Sequence, residues 1–515
     1  MGFFALRLSC KISFNPRLLA GSFALLSCCI IMHDLQNSDA RLPSRSSDDI
    51  WNVSCRDAKL YLPITLVWVG MGVGIVWLQD YHWLLSTLYG LVVLSWMPVL
   101  VGAVQFGLPY RARPKMPVLL RSPPETLPRI TILLPVYKEA NMLAQLADML
   151  FALDYTAAKL QCLLLVEADD RETAQVAVET TWPSFLQIMS LPKGVPKTKP
   201  RACNLALARA LGDILVVFDA EDRPHPQQLR EAAARFKGSH ANLACVQAPL
   251  EVEAQAGNWL QKQFALEYRM LFRIILPCLS RASSALPLGG TSNYFRTRLL
   301  RELGGWDAHN LTEDADLGVK LARANFQTKT LTLPTIENAP DRLGTWYRQR
   351  TRWLSGHIQT LFVHATPPST RLIAFWRWFI CMLVMVGRLA SGPTHLLTLI
   401  LIAEQCLAAD FGTPFHLRVL LPFIGHFILL LILIRLAPAK NFGQRFWLGV
   451  SHNFYWLMTL PPLFNAMKRM ALGQVSWLKS AHKPYAYEVA PAAPKAELLA
   501  LTKTQKAIRG SSERH

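Results

Sequence analysis

Two stretches without a charged side chain, Leu60–Leu78 and Trp83–Phe106, limit what this chain can fold into more than any other feature. At about 1.5 Å of rise per residue, each is long enough as a helix to cross a hydrocarbon core about 30 Å thick. Asp80 lies in the link between them, and the far end runs on into Arg111, Arg113, Lys115, Arg121 and Arg129. That cationic excess puts the residues after the pair in the cytosol. Composition agrees, since 51% hydrophobic and 17% charged residues is the balance of a membrane protein. The formal net charge of +19 does not point to nucleic acid, because Lys and Arg gather beside apolar runs rather than along an aromatic-interleaved stripe. The partner expected is membrane lipid. Ten cysteines without a repeating spacing read as free thiols in a reducing compartment.

The remaining chain divides around this pair. Leu18–Met32 is short and preceded by Arg7, Lys11 and Arg17; as a span it would push the middle of the chain outside, so residues 1–32 are expected to be a leader or an over-extended start. Residues 33–58 read as a cytosolic linker and 59–108 as two transmembrane helices. Pro109, Pro114, Pro117, Pro123, Pro124 and Pro128 mark an extended connection. From 127 to 343, short apolar runs alternate with helix-like segments, which predicts a mostly parallel sheet with function at the carboxyl ends of its strands. An amphipathic interfacial segment follows at 344–372, then membrane and re-entrant or interfacial helices at 373–466. Trp378–Ala403, with Arg388, Gly392 and Pro393 inside it, is one span or a tight hairpin, one span being preferred, and Phe415–Ile434 is another span. Phe446–Ala466, broken at Pro461 and Pro462 and followed by Lys468 and Arg469, is an interfacial or re-entrant segment or a true span. Residues 467–515 return to the cytosol.

Six short motifs carry chemistry. Ile130–Leu134 runs into Pro135-Val136-Tyr137-Lys138-Glu139, with a helix expected near Asn141. Cys162–Val166 ends in Glu167-Ala168-Asp169-Asp170, carboxylates that suit a ribose hydroxyl or base edge, Asp170 serving equally as a helix cap. Lys197, Lys199 and Arg201 lie before a helix, as a diphosphate site or a solvated basic loop. Ile214–Phe218 ends in Asp219-Ala220-Glu221-Asp222; three carboxylates this close repel one another without a cation, and hard oxygen ligands suit Mg²⁺ or Mn²⁺. Glu313 and Asp314 open a helix, either serving its dipole or supplying a general base at Asp314. Gln349-Arg350-Thr351-Arg352-Trp353 offers Arg352 for a pyrophosphate and Trp353 for a sugar face.

In this order and over about Leu127–Trp353, the set resembles family-2 glycosyltransferases of the processive, membrane-embedded cellulose synthase type. The resemblance implies an α/β GT-A-like nucleotide-sugar-binding domain inserted between α-helical transmembrane segments. It assigns Asp314 as catalytic base, Asp219 and Glu221 or Asp222 to a divalent ion, and Glu167 or Asp169 with Lys199 and Arg352 to the donor. Glu313, Gln349 and Trp353 fall to the acceptor. Trp477, Ser480 and His482 stand where cellulose synthases carry a gating loop, an ordinary amphipathic tail being the other account. The implied reaction is inverting transfer from a UDP-sugar, by resemblance UDP-glucose, onto a growing polysaccharide at the inner membrane. The alternative is one sugar added to a lipid, as in ceramide glucosyltransferases.

Overall fold

The computed structural model describes residues 126–254, 256–282, 285–368, 371–407 and 417–473. The two apolar stretches at 60–106, residues 1–58 and the motif at 477–482 lie outside them.

The strand β1 (Ile130–Val136) is buried along nearly its whole length, as is β2 (Leu160–Glu167), which is how strands read when both faces of a sheet are covered. Alternate residues feed two cores. Ile130, Ile132, Leu134, Cys162, Leu164 and Val166 pack on one side, and Leu133, Leu163 and Leu165 on the other. With β3 (Leu186–Leu191), β4 (Ile214–Val217), β6 (Leu243–Gln247), β8 (Asn293–Arg296) and β9 (Gln327–Thr330), they form a seven-stranded sheet of order β3-β2-β1-β4-β8-β6-β9. All neighbours are parallel except β8, which runs antiparallel to both β4 and β6. A second sheet of order β5-β10-β7 joins β5 (Arg223–Pro224), β10 (Thr335–Glu337) and β7 (Leu250–Val252).

This order has a chemical consequence. The carboxyl ends of β2, β1 and β4 lie side by side, so Glu167, Tyr137 to Glu139 and Asp219 emerge on one edge. Because β8 is reversed, its start at Asn293 pairs with Val217 and delivers the preceding Gly289-Gly290 to the same edge.

Helices α1 (Leu143–Phe151), α2 (Arg171–Glu179), α3 (Lys199–Leu207) and α4 (Gln228–Lys237) connect the strands. A 3-10 turn at Ala140–Met142 precedes α1, and α3 starts within the basic motif at Lys199 rather than after it, with Pro200 in its first turn. Helix α5 (Trp259–Met270) begins with a capping box between Asn258 and Gln261, passes through a π turn at Leu271–Ile275 and continues as α6 (Leu276–Ala282). Helices α7 (Thr297–Glu302), α8 (Glu313–Arg323) and α9 (Leu343–Val363) complete this part.

Helix α10 (Leu372–Leu407) runs unbroken through Gly392 and Pro393. It starts earlier than the apolar stretch at Trp378, and its Cys381 and Met385 pack on Ala315, Val319 and Ala322 of α8. Within it, Leu372–Leu396 is the one helical stretch among the described residues long and apolar enough to cross a membrane. After α11 (Leu417–Leu436), the segment expected at 446–466 is two helices, α12 (Phe442–Leu457) and α13 (Leu460–Ala471), the prolines lying in the first turn of α13. Leu448, His452 and Tyr455 of α12 are buried, while Phe442, Trp447 and Phe454 are exposed by 60% or more, an amphipathic division suited to an interface.

Candidate active site

A single cavity of about 400 Å³ lies at the acidic strand ends, between the sheet and helices α5, α9 and α10. Tyr137, Glu139, Glu167, Lys197 and Lys199 line it, as do Asp219, Glu221, Glu313, Asp314, Gln349, Arg352 and Trp353. Motifs as far apart in sequence as Tyr137 and Trp353 therefore face one space.

At one end Glu167, almost fully buried, accepts from Arg201 at 3.2 Å; burial pushes its carboxyl up, against the pull of Arg201 and Lys197. Asp169 is ion-paired to Lys197, which holds its carboxyl below the ordinary range, and it lies outside the cavity wall. Asp170 caps α2, accepting from Thr173 N–H at 3.3 Å and from Lys138 N–H at 2.5 Å.

The β4 acids divide by role. Asp219 is paired with Lys199, whose ammonium also donates to the Gly290 carbonyl at 2.7 Å. Asp222 is buried, accepts from the Asp219 N–H at 2.6 Å and from the Thr291 hydroxyl, and lies outside the cavity wall. It shapes the turn that presents Asp219 and Glu221. Glu337, brought in by β10, also lines the cavity, and burial and the β4 acids raise its carboxyl well above the usual range. Among the described residues no three His, Cys, Asp or Glu side chains are arranged to hold an ion alone. Asp219 and Glu221 do fit a divalent ion whose remaining ligands come from substrate phosphates, as Mg²⁺ commonly binds.

Glu313 and Asp314 open α8 and are fixed from behind. Asn310 donates to Asp316 at 3.1 Å and Thr360 at 2.9 Å, Gln359 accepts from the Leu311 N–H at 3.1 Å, and Asp316 meets His364 at 3.0 Å. Asp316 is thus a buried tether. Gly356 of α9 touches this loop so closely that a Cβ would lie 2.7 Å from the Thr312 backbone nitrogen. Burial and Asp314 raise the Glu313 carboxyl to about 8 against the pull of Lys199 and Arg352, and burial also raises Asp314.

Along α9, Gln349, Trp353 and His357 recur every fourth residue and share the cavity face with Arg352, which donates to the Leu311 carbonyl at 3.2 Å. Trp353 packs near Phe264 and Tyr268, with ring centroids 6.1 and 6.5 Å apart. The Arg350 guanidinium lies 4.9 Å from the Trp353 ring centroid and grips Glu267 with both terminal nitrogens. Tyr455 of α12 joins them, donating to Glu267 at 2.9 Å and accepting from Arg350 at 2.8 Å.

Sequence reasoning missed Glu337, Glu267, His357 and Arg388, all of which line the cavity. His357 carried a signal, one helical turn beyond Trp353. Arg388 did too, as a cation inside an apolar stretch. The other two arrive through strand pairing and helix packing, for which no local pattern exists.

Residues 214–467 match the family described as Glycosyl transferase family group 2. Among curated proteins, the probable glycosyltransferase YdaM of Bacillus subtilis is 22% identical over 45% of this chain and 56% of its own. The beta-monoglucosyldiacylglycerol synthase of Trichormus variabilis is 23% identical over 63% and 65%. The cellulose synthase 1 catalytic subunit of Komagataeibacter xylinus is 24% identical over 48% and 33%. The chain thus spans about a third to two-thirds of the length of these relatives. A solved mannosyltransferase from Pyrobaculum calidifontis, in complex with GDP-Man and Mn²⁺, aligns with a TM-score of 0.49 at 18% identity, over 75% of this chain and 98% of that one.

Proposed function

We propose that this chain, whose residues 214–467 match a family-2 glycosyltransferase domain, is a glycosyltransferase of GT-A-like α/β fold with a specific reaction: inverting transfer of a hexose from a UDP-sugar to an acceptor hydroxyl at the cytosolic face of a membrane. The observation that carries it is the convergence of Asp314, the Asp219 and Glu221 carboxylates, Lys199 and Arg352 on one cavity. UDP-glucose is the donor favoured by the sequence resemblance.

Asp314 takes the proton of the acceptor hydroxyl as its oxygen attacks the anomeric carbon. The bond from that carbon to the diphosphate breaks, and UDP leaves with the electron pair. Lys199 and Arg352 face the developing negative charge, in surroundings where fixed cations act more strongly than in water. A divalent ion held by Asp219 and Glu221 would supply further neutralisation of the diphosphate. Glu167 is placed for the nucleoside, and Trp353 offers an aromatic face to the acceptor.

The acids and cations of the strand ends suit a nucleotide sugar, and Met270, Leu271, Ile275 and Trp456, which line the same cavity, suit a hydrocarbon tail. That observation favours a lipid acceptor receiving one sugar over a growing polysaccharide. Sizing the labelled product made from UDP-glucose by membranes containing the protein tests the choice: a single-sugar lipid is expected, and a long glucan would return the polysaccharide.

Two further outcomes are expected. Excess EDTA removes activity and Mg²⁺ or Mn²⁺ restores it, because the Asp219 and Glu221 carboxylates repel a diphosphate until a cation intervenes; full activity in EDTA would sink the ion's role. Trp353→Ala lowers turnover roughly fivefold while UDP affinity stays the same, since aromatic stacking is worth about 1 kcal/mol beyond burial. A loss confined to UDP titrations would move Trp353 to the donor side.

A further inference from the structure

The reaction so far leaves Arg388 without a task. It sits in the apolar run of α10, where a cation is costly unless it is paired or functional, and its side chain lines the cavity beside Tyr268, Trp353, His357 and Trp456. Among the described residues its guanidinium has no hydrogen-bond or ion-pair partner. Glu267 is the acid whose charge acts on it most, yet both Glu267 oxygens are already gripped by Arg350 and one also by Tyr455. Asp314 also acts on it, more weakly and without a bond, so among the described residues the Arg388 guanidinium reaches the cavity with its donors uncommitted.

His357 supplies a second observation. It is 5% exposed and faces the same space, and its Nδ1 is buried without a partner. Burial, together with Arg388 and Arg350, holds its imidazole well below the usual range, so the ring stays neutral and offers hydrogen bonds rather than charge. A buried polar atom without a partner costs free energy, so an imidazole held in this way at a cavity wall calls for a reason beyond packing.

We propose that Arg388 and His357 form a subsite for an oxyanion, a phosphate or carboxylate, carried on the acceptor lipid beside the hydroxyl that reacts. The inference rests on the lipid-acceptor reading above. The anion itself is not altered: the acceptor oxygen bonds to the anomeric carbon, UDP departs, and the hydroxyl proton goes to Asp314. Arg388 neutralises and orients the headgroup, His357 completes its hydrogen bonding, and the Met270, Leu271 and Ile275 wall receives the start of the tails. The donor's own diphosphate has Lys199, Arg352 and the ion site for its charge, which leaves Arg388 to the acceptor.

The test uses the full chain in mixed micelles, a panel of labelled nucleotide sugars, and two acceptors with the same tails and free hydroxyls, dioleoylglycerol and dioleoylphosphatidylglycerol. Wild-type protein is expected to use the anionic lipid with a kcat/KM about tenfold higher, the yield of one charge-assisted hydrogen-bonded contact. Arg388→Gln is expected to erase that preference and Arg388→Lys to keep most of it, with UDP affinity equal in all three. A merely structural Arg388 would not move the acceptor ratio. Equal use of the two lipids by the wild type, or a preference that survives Arg388→Gln, overturns the subsite and leaves the lipid reading standing. Glycerophosphoglycerol, the headgroup without tails, serving as well as the lipid would overturn the lipid source. A long glucan with neither lipid labelled would overturn the lipid reading and the subsite together, and absence of any transfer would overturn the proposed reaction itself.

Discussion

Asp314→Asn is expected to lower kcat about 10³-fold, within the range for loss of a general base, while UDP affinity changes little. The amide keeps the shape of the side chain and its place at the start of α8 but cannot take the acceptor proton. Its neighbour provides the internal control. Both carboxyls are raised by burial, Glu313 to about 8 with the charge of Asp314 adding to it, which favours the proton on Glu313 rather than on Asp314. Glu313→Gln replaces one neutral hydrogen-bonding group with another, and a loss of no more than about tenfold is expected. The pH profile follows with a definite sign. A base must be ionised, so kcat falls as pH drops through the raised Asp314 pKa, and this acid limb disappears in the residual activity of Asp314→Asn. If Glu313→Gln proved the silent variant and Asp314→Asn the active one, the two roles would exchange.

Much of the site was legible because its acids stand at the ends of strands. Apolar runs of four to eight residues, each stopping at a carboxylate, fix both the element and the edge from which it projects; Glu167 and Asp219 needed no knowledge of what lay between them. Other features escaped for physical reasons. Asp222 belongs to the same acidic run as Asp219, but only the reversed strand β8, which brings Thr291 against it, turns its carboxylate inward. Asp169 lies beside the likewise acidic Glu167, and the direction of a strand's last residues decides which of the two is turned into the cavity. Glu337 sits on a three-residue strand where Ile336 pairs with Arg223 and Glu337 with Val252, 113 and 85 residues away. Pairing across such separations leaves no periodicity to read. Arg388 marred an apolar pattern, and the packing of α10 against α8 turns that irregularity into a side chain that lines the cavity.

The largest stability effect is expected at Arg350. Arg350→Met should destabilise the protein by about 3–5 kcal/mol, the usual cost of removing one partner of a buried ion pair. Its side chain is 8% exposed and that of Glu267 16%, so both charges are largely shielded from water. The loss would strand Glu267 among Phe264, Trp346, Trp353 and Tyr455, the same rings that surround the guanidinium. It would also loosen the joint between α5, α9 and α12, because the Tyr455 hydroxyl depends on both charged partners and on Trp346, which donates to it at 3.0 Å. Thermal unfolding in detergent should register the single variant as a fall in midpoint on the order of 10 °C. The double variant Arg350→Met with Glu267→Leu separates the causes. Removing both charges together eliminates the stranded carboxylate, so the double variant should recover a large part of the lost stability. Trp353, deprived of the cation beneath its ring, should remain displaced, so turnover stays low even where stability returns. A double variant as unstable as the single one would show that the joint is held by the shape of Arg350 among the rings rather than by its charge. In that case acceptor positioning at Trp353 would trace to packing alone, and Arg350→Lys, which keeps the charge but not the planar fork, would unfold as readily as Arg350→Met.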